Sequence, residues 1–264
     1  MLTNVYHIIY FKKFDLAYLF FHGCNFQCRG CILKNTPWDY HLSPEVRSTL
    51  SSLYPDPEKV RLTFKKFKEV MDSFYKAHGT IERVALGGAE PLLDRQLLNI
   101  ASFLKERSRN VMLLTNGFLL TRDVAEELIR RGVNEVTVSI KAYSESKHVF
   151  YTSVSNRRVI ENLKAISRLP IKIYLETVLI PGFVEEDELE QIAMLIRSLG
   201  RDDIVWTIND YYPVKGLPWR RPTREEVTRA IDAVRRYYDK VVFLPTTYPV
   251  GEIEVVYPPL RQGT

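Results

Sequence analysis

The sequence contains no apolar run approaching the ~18–20 residues a membrane-spanning helix needs, and no repeat or low-complexity tract. A helical membrane protein and a solenoid are thereby excluded. The first fifteen residues, Met1 to Asp15, carry Lys12, Lys13 and Asp15 and hold no small-residue cleavage site, so no secretory leader is expected and the protein is read as cytoplasmic. Charge of one sign is also missing: 37 basic and 32 acidic residues leave a formal net charge of only +5. That excess permits an anionic partner but does not demand nucleic acid. Cysteine is the scarcest informative residue. There are three, Cys24, Cys28 and Cys31. An odd number within eight positions cannot form a disulfide framework.

What is present is an ordinary globular composition, 45% apolar and 26% charged over 264 residues. A single domain of that size buries roughly 70–75% of its unfolded surface, so it needs neither disulfide nor structural metal to fold. The clustered thiols are therefore free for another use, and in a reducing compartment they suggest a metal ligand set.

From Leu16 onward, short β-branched runs alternate with stretches of helical period, the mark of βα units around a parallel sheet. Strands are predicted at 17–21, 81–86, 111–114, 135–140, 171–180 and 203–208. Helices are predicted near 63–77, 94–107, 122–131, 156–169, 185–199 and 223–238. Six βα units give an α/β single domain, a partial (β/α)6 TIM-type barrel, spanning residues 16–244. Residues 1–15 read as an N-terminal extension and 245–264 as a Pro-rich surface tail, with 241–244 a short further strand. A Ser- and Pro-rich segment, 38–61, reads as an insertion or lid inside the barrel. The unusual residues fall where each strand ends, the face on which parallel barrels build active sites.

Cys24-Asn-Phe-Gln-Cys28-Arg-Gly-Cys31 can wrap three corners of a [4Fe-4S] cube and leave one iron open to a small molecule. The alternatives on the cysteines alone are a zinc site completed by His22 or His41, or three unrelated thiols.

Taken with Phe20-Phe-His-Gly before the first cysteine, Gly87-Gly-Ala-Glu90-Pro91 and Thr115-Asn-Gly117, the triplet resembles the radical S-adenosylmethionine (SAM) enzymes. Ser139-Ile-Lys141, Val154-Ser-Asn156, Ile180-Pro-Gly-Phe183, Asp210-Tyr-Tyr-Pro213 and Gly216-Leu-Pro-Trp219 are similar to the pyruvate formate-lyase activating branch. The resemblance implies a [4Fe-4S] cluster on Cys24, Cys28 and Cys31, with the amino and carboxylate groups of SAM on the open iron. It implies reductive cleavage of SAM to methionine and a 5′-deoxyadenosyl radical, a glycyl-radical protein as substrate, and a flavodoxin- or ferredoxin-type electron donor. It places Gly87, Gly88 and Glu90 in the loop beside SAM, Asn116 at the ribose, Ser139 and Lys141 at the strand end that meets the SAM carboxylate, and Tyr212 on the adenosine side.

The chain also departs from that branch. Leu114 and Ser139 stand where acidic residues commonly serve a monovalent cation, Gly30 where an aromatic often meets adenine, and Glu176 where a basic residue is frequent. With three cysteines, one cluster is expected and no auxiliary one. The chain length leaves no room for a cobalamin domain. The leading function is activation of a glycyl-radical enzyme. The runner-up is radical modification of a small molecule or another protein, and a non-enzymatic metal-binding regulatory module stands as the alternative of another class. Cys28→Ala is predicted to abolish both the brown cluster chromophore after anaerobic reconstitution and the formation of 5′-deoxyadenosine, whereas Lys141→Ala mainly weakens SAM binding. Retention of either signal by Cys28→Ala would remove the thiol from the ligand set.

Overall fold

The structure, a computed structural model, describes residues 1–261. Its strands are β1 (Val5–Phe11), β2 (Leu16–Phe21), β3 (Ile81–Gly88), β4 (Ser108–Thr115), β5 (Glu135–Ser139), β6 (Lys172–Leu179), β7 (Val205–Asp210), β8 (Val241–Leu244) and β9 (Ile253–Tyr257). They form one sheet in the order β8-β7-β6-β5-β4-β3-β2-β1-β9. From β2 to β8 every neighbouring pair is parallel. β8 and β9 are the two edges, so the barrel is partial, as the six-unit pattern predicts.

The helices are α1 (Pro44–Leu53), α2 (Phe64–His78), α3 (Leu97–Lys105), α4 (Arg122–Arg130), α5 (Glu145–Thr152), α6 (Arg157–Ile166), α7 (Glu186–Ser198) and α8 (Arg224–Arg235). Six of them, α2, α3, α4, α6, α7 and α8, fall within the segments predicted, give or take a residue. Local chemistry explains the sharpest ends. Thr63 caps α2 by accepting from the Lys66 N–H and Gly79 closes it, while α8 opens on a full capping box between Thr223 and Glu226. The apolar stripes of these helices meet alternate residues of the strands, such as Ala17, Leu19 and Phe21 of β2, in one continuous core.

Three segments differ from the sequence expectation. Residues 1–15, read as an extension, contain β1, which pairs antiparallel with β2. The tail from residue 245, read as a surface wrap, supplies β9, which pairs antiparallel with β1; residues 262–264 of that tail lie outside the described part. The insertion 38–61 contains α1, capped by Ser43 with Pro44 in the first turn. It folds onto the opposite face of β1 and β2, where Trp38, Leu42 and Leu50 join Tyr6, Ile9, Phe11 and Phe20 in a second core. The Trp38 indole donates to Ser51 Oγ at 3.1 Å.

His7 is sealed inside that second core, fully buried between the rings of Phe20 and Trp38. Its Nδ1 lies 2.8 Å from the Tyr257 carbonyl, so Nδ1 carries the proton and ties β1 to β9. Burial pushes the imidazole down to about 4, against the opposing pull of Asp39 and the Tyr257 carbonyl. The unfolded chain, titrating near 6.5, takes up this proton first as pH falls. The contribution to stability is therefore complete above pH 6.5 and is lost toward pH 4, about 3 kcal/mol in all. Urea midpoints measured between pH 7 and 4 should fall in the wild type, with a shallower slope in His7→Gln. An unchanged slope would mean that His7 is not sealed.

Candidate active site

The cysteine loop begins where β2 ends. Each of its flanks is held by backbone bonds. On one side the Ala89 and Glu90 N–H groups donate to the Phe21 and Gly23 carbonyls at 3.2 and 3.0 Å, fastening the loop to the Gly-Gly-Ala-Glu-Pro turn. On the other, the Gln27 and Arg29 N–H groups donate to the Thr152 and Tyr151 carbonyls at 2.9 and 2.8 Å, fastening it to the end of α5. Phe26 anchors the loop between, packed on Phe118 and His148.

All three cysteines are free thiols; Cys24 is exposed, Cys28 and Cys31 half-buried. Burial pushes Cys28 up to about 11, with Lys141 pulling it back and Cys31 and Cys24 adding to the rise. Cys24 is also raised by burial, against the Phe26 N–H, which lies 3.3 Å from its Sγ, and Lys141. Lys141 is correspondingly held above the ordinary lysine range. Burial opposes its charge, but Cys28, Glu176, Cys31 and Cys24 together outweigh that cost. The three thiols and this one cation thus share a single electrostatic neighbourhood.

Glu90 lies at the centre of the scaffold, fully buried. Its Oε1 accepts from the Leu92 N–H at 3.1 Å and from Thr115 Oγ1 at 2.8 Å, and its Oε2 accepts from the Asn116 N–H at 2.8 Å. One carboxylate thereby joins the turn after β3 to the Thr-Asn-Gly turn after β4. An acceptor-only ionised carboxylate matches this set of three donors. Burial raises its pKa, and the Asn116, Thr115 and Leu92 donors and Lys141 oppose the rise.

Asn116 has its own polar atoms engaged within the protein. Oδ1 accepts from the Phe118 N–H at 3.0 Å, and Nδ2 reaches Asn25 Oδ1 at 2.8 Å and Cys24 Sγ at 3.8 Å. Gly87 is a position where a side chain cannot fit: a Cβ there would collide with the Tyr18 hydroxyl, which accepts the Gly88 N–H at 3.0 Å. Ser139 ends β5 beside Glu176 of β6. The loop after Lys141 is fixed by the buried Glu188, which accepts from the Tyr143 and Ser144 N–H groups, and by Asn156, whose amide donates to the Ala142 carbonyl.

Tyr212 sits further out. It faces Tyr40 of the insertion, ring centroids 6.1 Å apart, and Arg221 stacks over it. The aromatic that reaches the cysteine loop is Tyr211, with Tyr151. Both crowd Gly30, where a Cβ would lie 2.8 Å from the Tyr151 hydroxyl and 2.8 Å from the Tyr211 ring. Sequence reasoning missed Tyr151 because α5 was not predicted, although Ser144-Glu145 is a helix-start signal. Glu188 and Asn25 were missed too.

The donor set fits an iron–sulfur cluster. Three thiols on one loop, with a lysine in the field of all three, suit a group that carries net negative charge when held by three thiolates. Among the described residues, no three His, Cys, Asp or Glu side chains converge as ligands of one ion. His41 is held by Asp39 at 3.0 Å and His22 packs on Tyr6.

The fold is an open barrel, parallel from β2 to β8, with the cysteine loop at the carboxyl ends of its strands. The sequence pattern of the Radical SAM superfamily matches residues 18–196, and the chain belongs to that superfamily. Its cofactors are therefore a [4Fe-4S] cluster and SAM. It is 27% identical over 232 residues to a Methanocaldococcus jannaschii protein named as a glycyl-radical enzyme activating enzyme, covering 86% of this chain and 80% of that one. It is 24% identical over 240 residues to the pyruvate formate-lyase 1-activating enzyme of Escherichia coli, covering 85% and 90%. The crystal structure of Streptococcus suis SuiB bound to SAM shares the fold, with TM-score 0.58 and 14% identity over 89% of this chain and 48% of that one. No described helix is long and apolar enough to cross a membrane.

Glu90→Gln turns one acceptor oxygen into a donor facing the Asn116 N–H or the Thr115 hydroxyl. The expected loss is about 1–3 kcal/mol, read from urea unfolding of the cluster-free protein. A loss within experimental error would show that the carboxylate does not tie the two turns together.

Proposed function

We propose that this enzyme cleaves SAM reductively and takes a hydrogen atom from the glycine of a glycyl-radical protein. Cys24, Cys28 and Cys31 hold the cluster. Gly87 and Gly88 present backbone to SAM, and Ser139 and Lys141 meet its carboxylate. Glu90 and Asn116 act by fixing the turns on which those groups stand. When bound, the cluster supplies one electron to the SAM sulfonium, giving methionine and a 5′-deoxyadenosyl radical that abstracts the substrate hydrogen.

Lys141 offsets the negative charge of the thiolates and of the SAM carboxylate in one place, so neither is left uncompensated in a half-buried site. Tyr18 and Phe20 wall the barrel interior beneath the Gly-Gly turn, and at the amino ends of the strands the Arg83–Glu135 pair, 2.7 Å apart, stands in front of Tyr174. Of that pair Glu135 is buried and Arg83 is partly exposed, and the site lies at the opposite, carboxyl ends.

What supports a macromolecular substrate is the groove beside that opening. A cleft of about 700 Å³ runs between Asn35, Thr36 and helix α1 of the insertion on one side and the segment Tyr212–Leu217 on the other. The insertion packs against the sheet and leaves this cleft open, a shape suited to an extended peptide loop. Arg47 and Lys215 line it; the Arg47 guanidinium donates to the Tyr40 carbonyl at 3.3 Å, and Lys215 is exposed. For the electron, the exposed Arg29 and Lys34 beside the cysteine loop suit a small acidic flavodoxin- or ferredoxin-type donor.

Anaerobic reconstitution should give about four iron per chain and, with dithionite and SAM, 5′-deoxyadenosine. Incubation with a candidate glycyl-radical protein should give the glycyl doublet in its EPR spectrum. The double variant Arg47→Glu, Lys215→Glu should keep deoxyadenosine formation in the absence of that protein and lose at least tenfold in doublet yield. Cluster and SAM cleavage without any doublet would sink the glycyl-radical substrate, and an unchanged double variant would sink the groove.

A further inference from the structure

The amide of Asn116 has one permissible orientation. Its Oδ1 must face the Phe118 N–H, because a flipped amide would set a donor against that donor and an oxygen against the Asn25 oxygen. Both Nδ2 hydrogens are then committed, one to Asn25 Oδ1 at 2.8 Å and the other toward Cys24 Sγ at 3.8 Å. The orientation of Asn25 follows. Its oxygen accepts from Asn116, so its own Nδ2 points away, and that nitrogen is buried with no hydrogen-bond partner among the described residues.

A buried amide N–H2 left unpaired costs about 1–3 kcal/mol, and Asn25 is the residue next to Cys24. The vacancy in its hydrogen bonding calls for an acceptor on the loop itself. A cluster bound there brings acceptors in the form of thiolate and sulfide sulfurs, and N–H donors to such sulfurs are one of the terms that set a cluster's reduction potential.

We propose that Asn25 and Asn116 are a positioning pair for the cluster. Asn116, clamped by Glu90 through its backbone N–H, holds the Asn25 side chain in the one orientation that leaves Nδ2 free to donate to a cluster sulfur, and itself donates to Cys24. Donors stabilise the reduced, more negative cluster more than the oxidised one. The pair therefore raises the reduction potential and brings it within reach of a biological electron donor. The proposal rests on the cluster assignment made above, and its test separates the two.

The measurement is an EPR-monitored redox titration of the reconstituted enzyme without SAM, together with iron per chain. Asn25→Asp keeps the oxygen that Asn116 needs and replaces only the unpaired donor by a negative oxygen. Asn25→Ala removes the side chain altogether. Both should hold the wild-type iron content and titrate at a lower potential than the wild type, the aspartate variant lowest. Asn116→Ala should lower the potential too, and combining it with Asn25→Ala should shift it by less than the sum of the two, since the pair acts as one unit. If Asn25→Ala loses its iron, the Asp variant alone decides by its position relative to wild type. Wild-type enzyme that takes up no iron overturns the cluster assignment. Wild-type enzyme with a cluster and either Asn25 variant at or above its potential overturns the pair.

Discussion

One buried carboxylate holds the mouth of this barrel together. Glu90 has no access to water, so its oxygens must be satisfied by protein, and the donors that satisfy it come from both the turn after β3 and the turn after β4. β3 and β4 are paired as far as Leu86 and Leu113, and beyond that point the carboxylate links the two chain segments where they leave the sheet. Because the Glu90 N–H also donates to the Gly23 carbonyl, the same residue sets the height of the cysteine loop. Three segments that the chain makes far apart are thus registered against a single residue, two through its carboxylate and one through its backbone N–H. Proline at position 91 restricts Glu90 to extended backbone, and φ is −124°, so the carboxylate is aimed before any ligand arrives.

A second constraint is charge. The thiols raise Lys141 and Lys141 lowers Cys24 and Cys28. Without metal, the loop keeps Cys28 protonated through burial. A cluster reverses that balance, since ligation needs thiolates and the lysine favours them. The site is thus built for an anionic occupant.

Much of this was legible in the sequence, because it is local. The βα period, the cysteine spacing, and the Gly-Gly-Ala-Glu-Pro and Thr-Asn-Gly turns each occupy a few adjacent residues, and the superfamily match covers the same stretch. What escaped is non-local or lacks period. β1 is buried along its whole length, so it shows no alternation, and its outer partner β9 lies some 250 residues away. α1 carries a legible start in Ser43-Pro44, but its Pro-rich setting read as irregular. The crowding of Gly30 by Tyr151 and Tyr211 needs two elements that only tertiary structure brings together. The placing of Tyr212 outward and Tyr211 inward turns on the alternation of one strand end, a matter of a single residue.

The strap of β9 on β1 also sets an order of events during synthesis. His7 and Tyr257 are 250 residues apart, so while the chain between them is being made the outer edge of β1 is unpaired and His7 lacks the Tyr257 carbonyl. An unpaired strand as apolar as Val-Tyr-His-Ile-Ile-Tyr-Phe is an aggregation risk while it waits. The adjoining cysteine loop is anchored through β2, whose other neighbour is β1, so the sheet beneath the loop is complete only once residues 253–257 have been made. A chain lacking residues 253–257 would leave β1 with one open edge in the sheet that carries the cysteine loop.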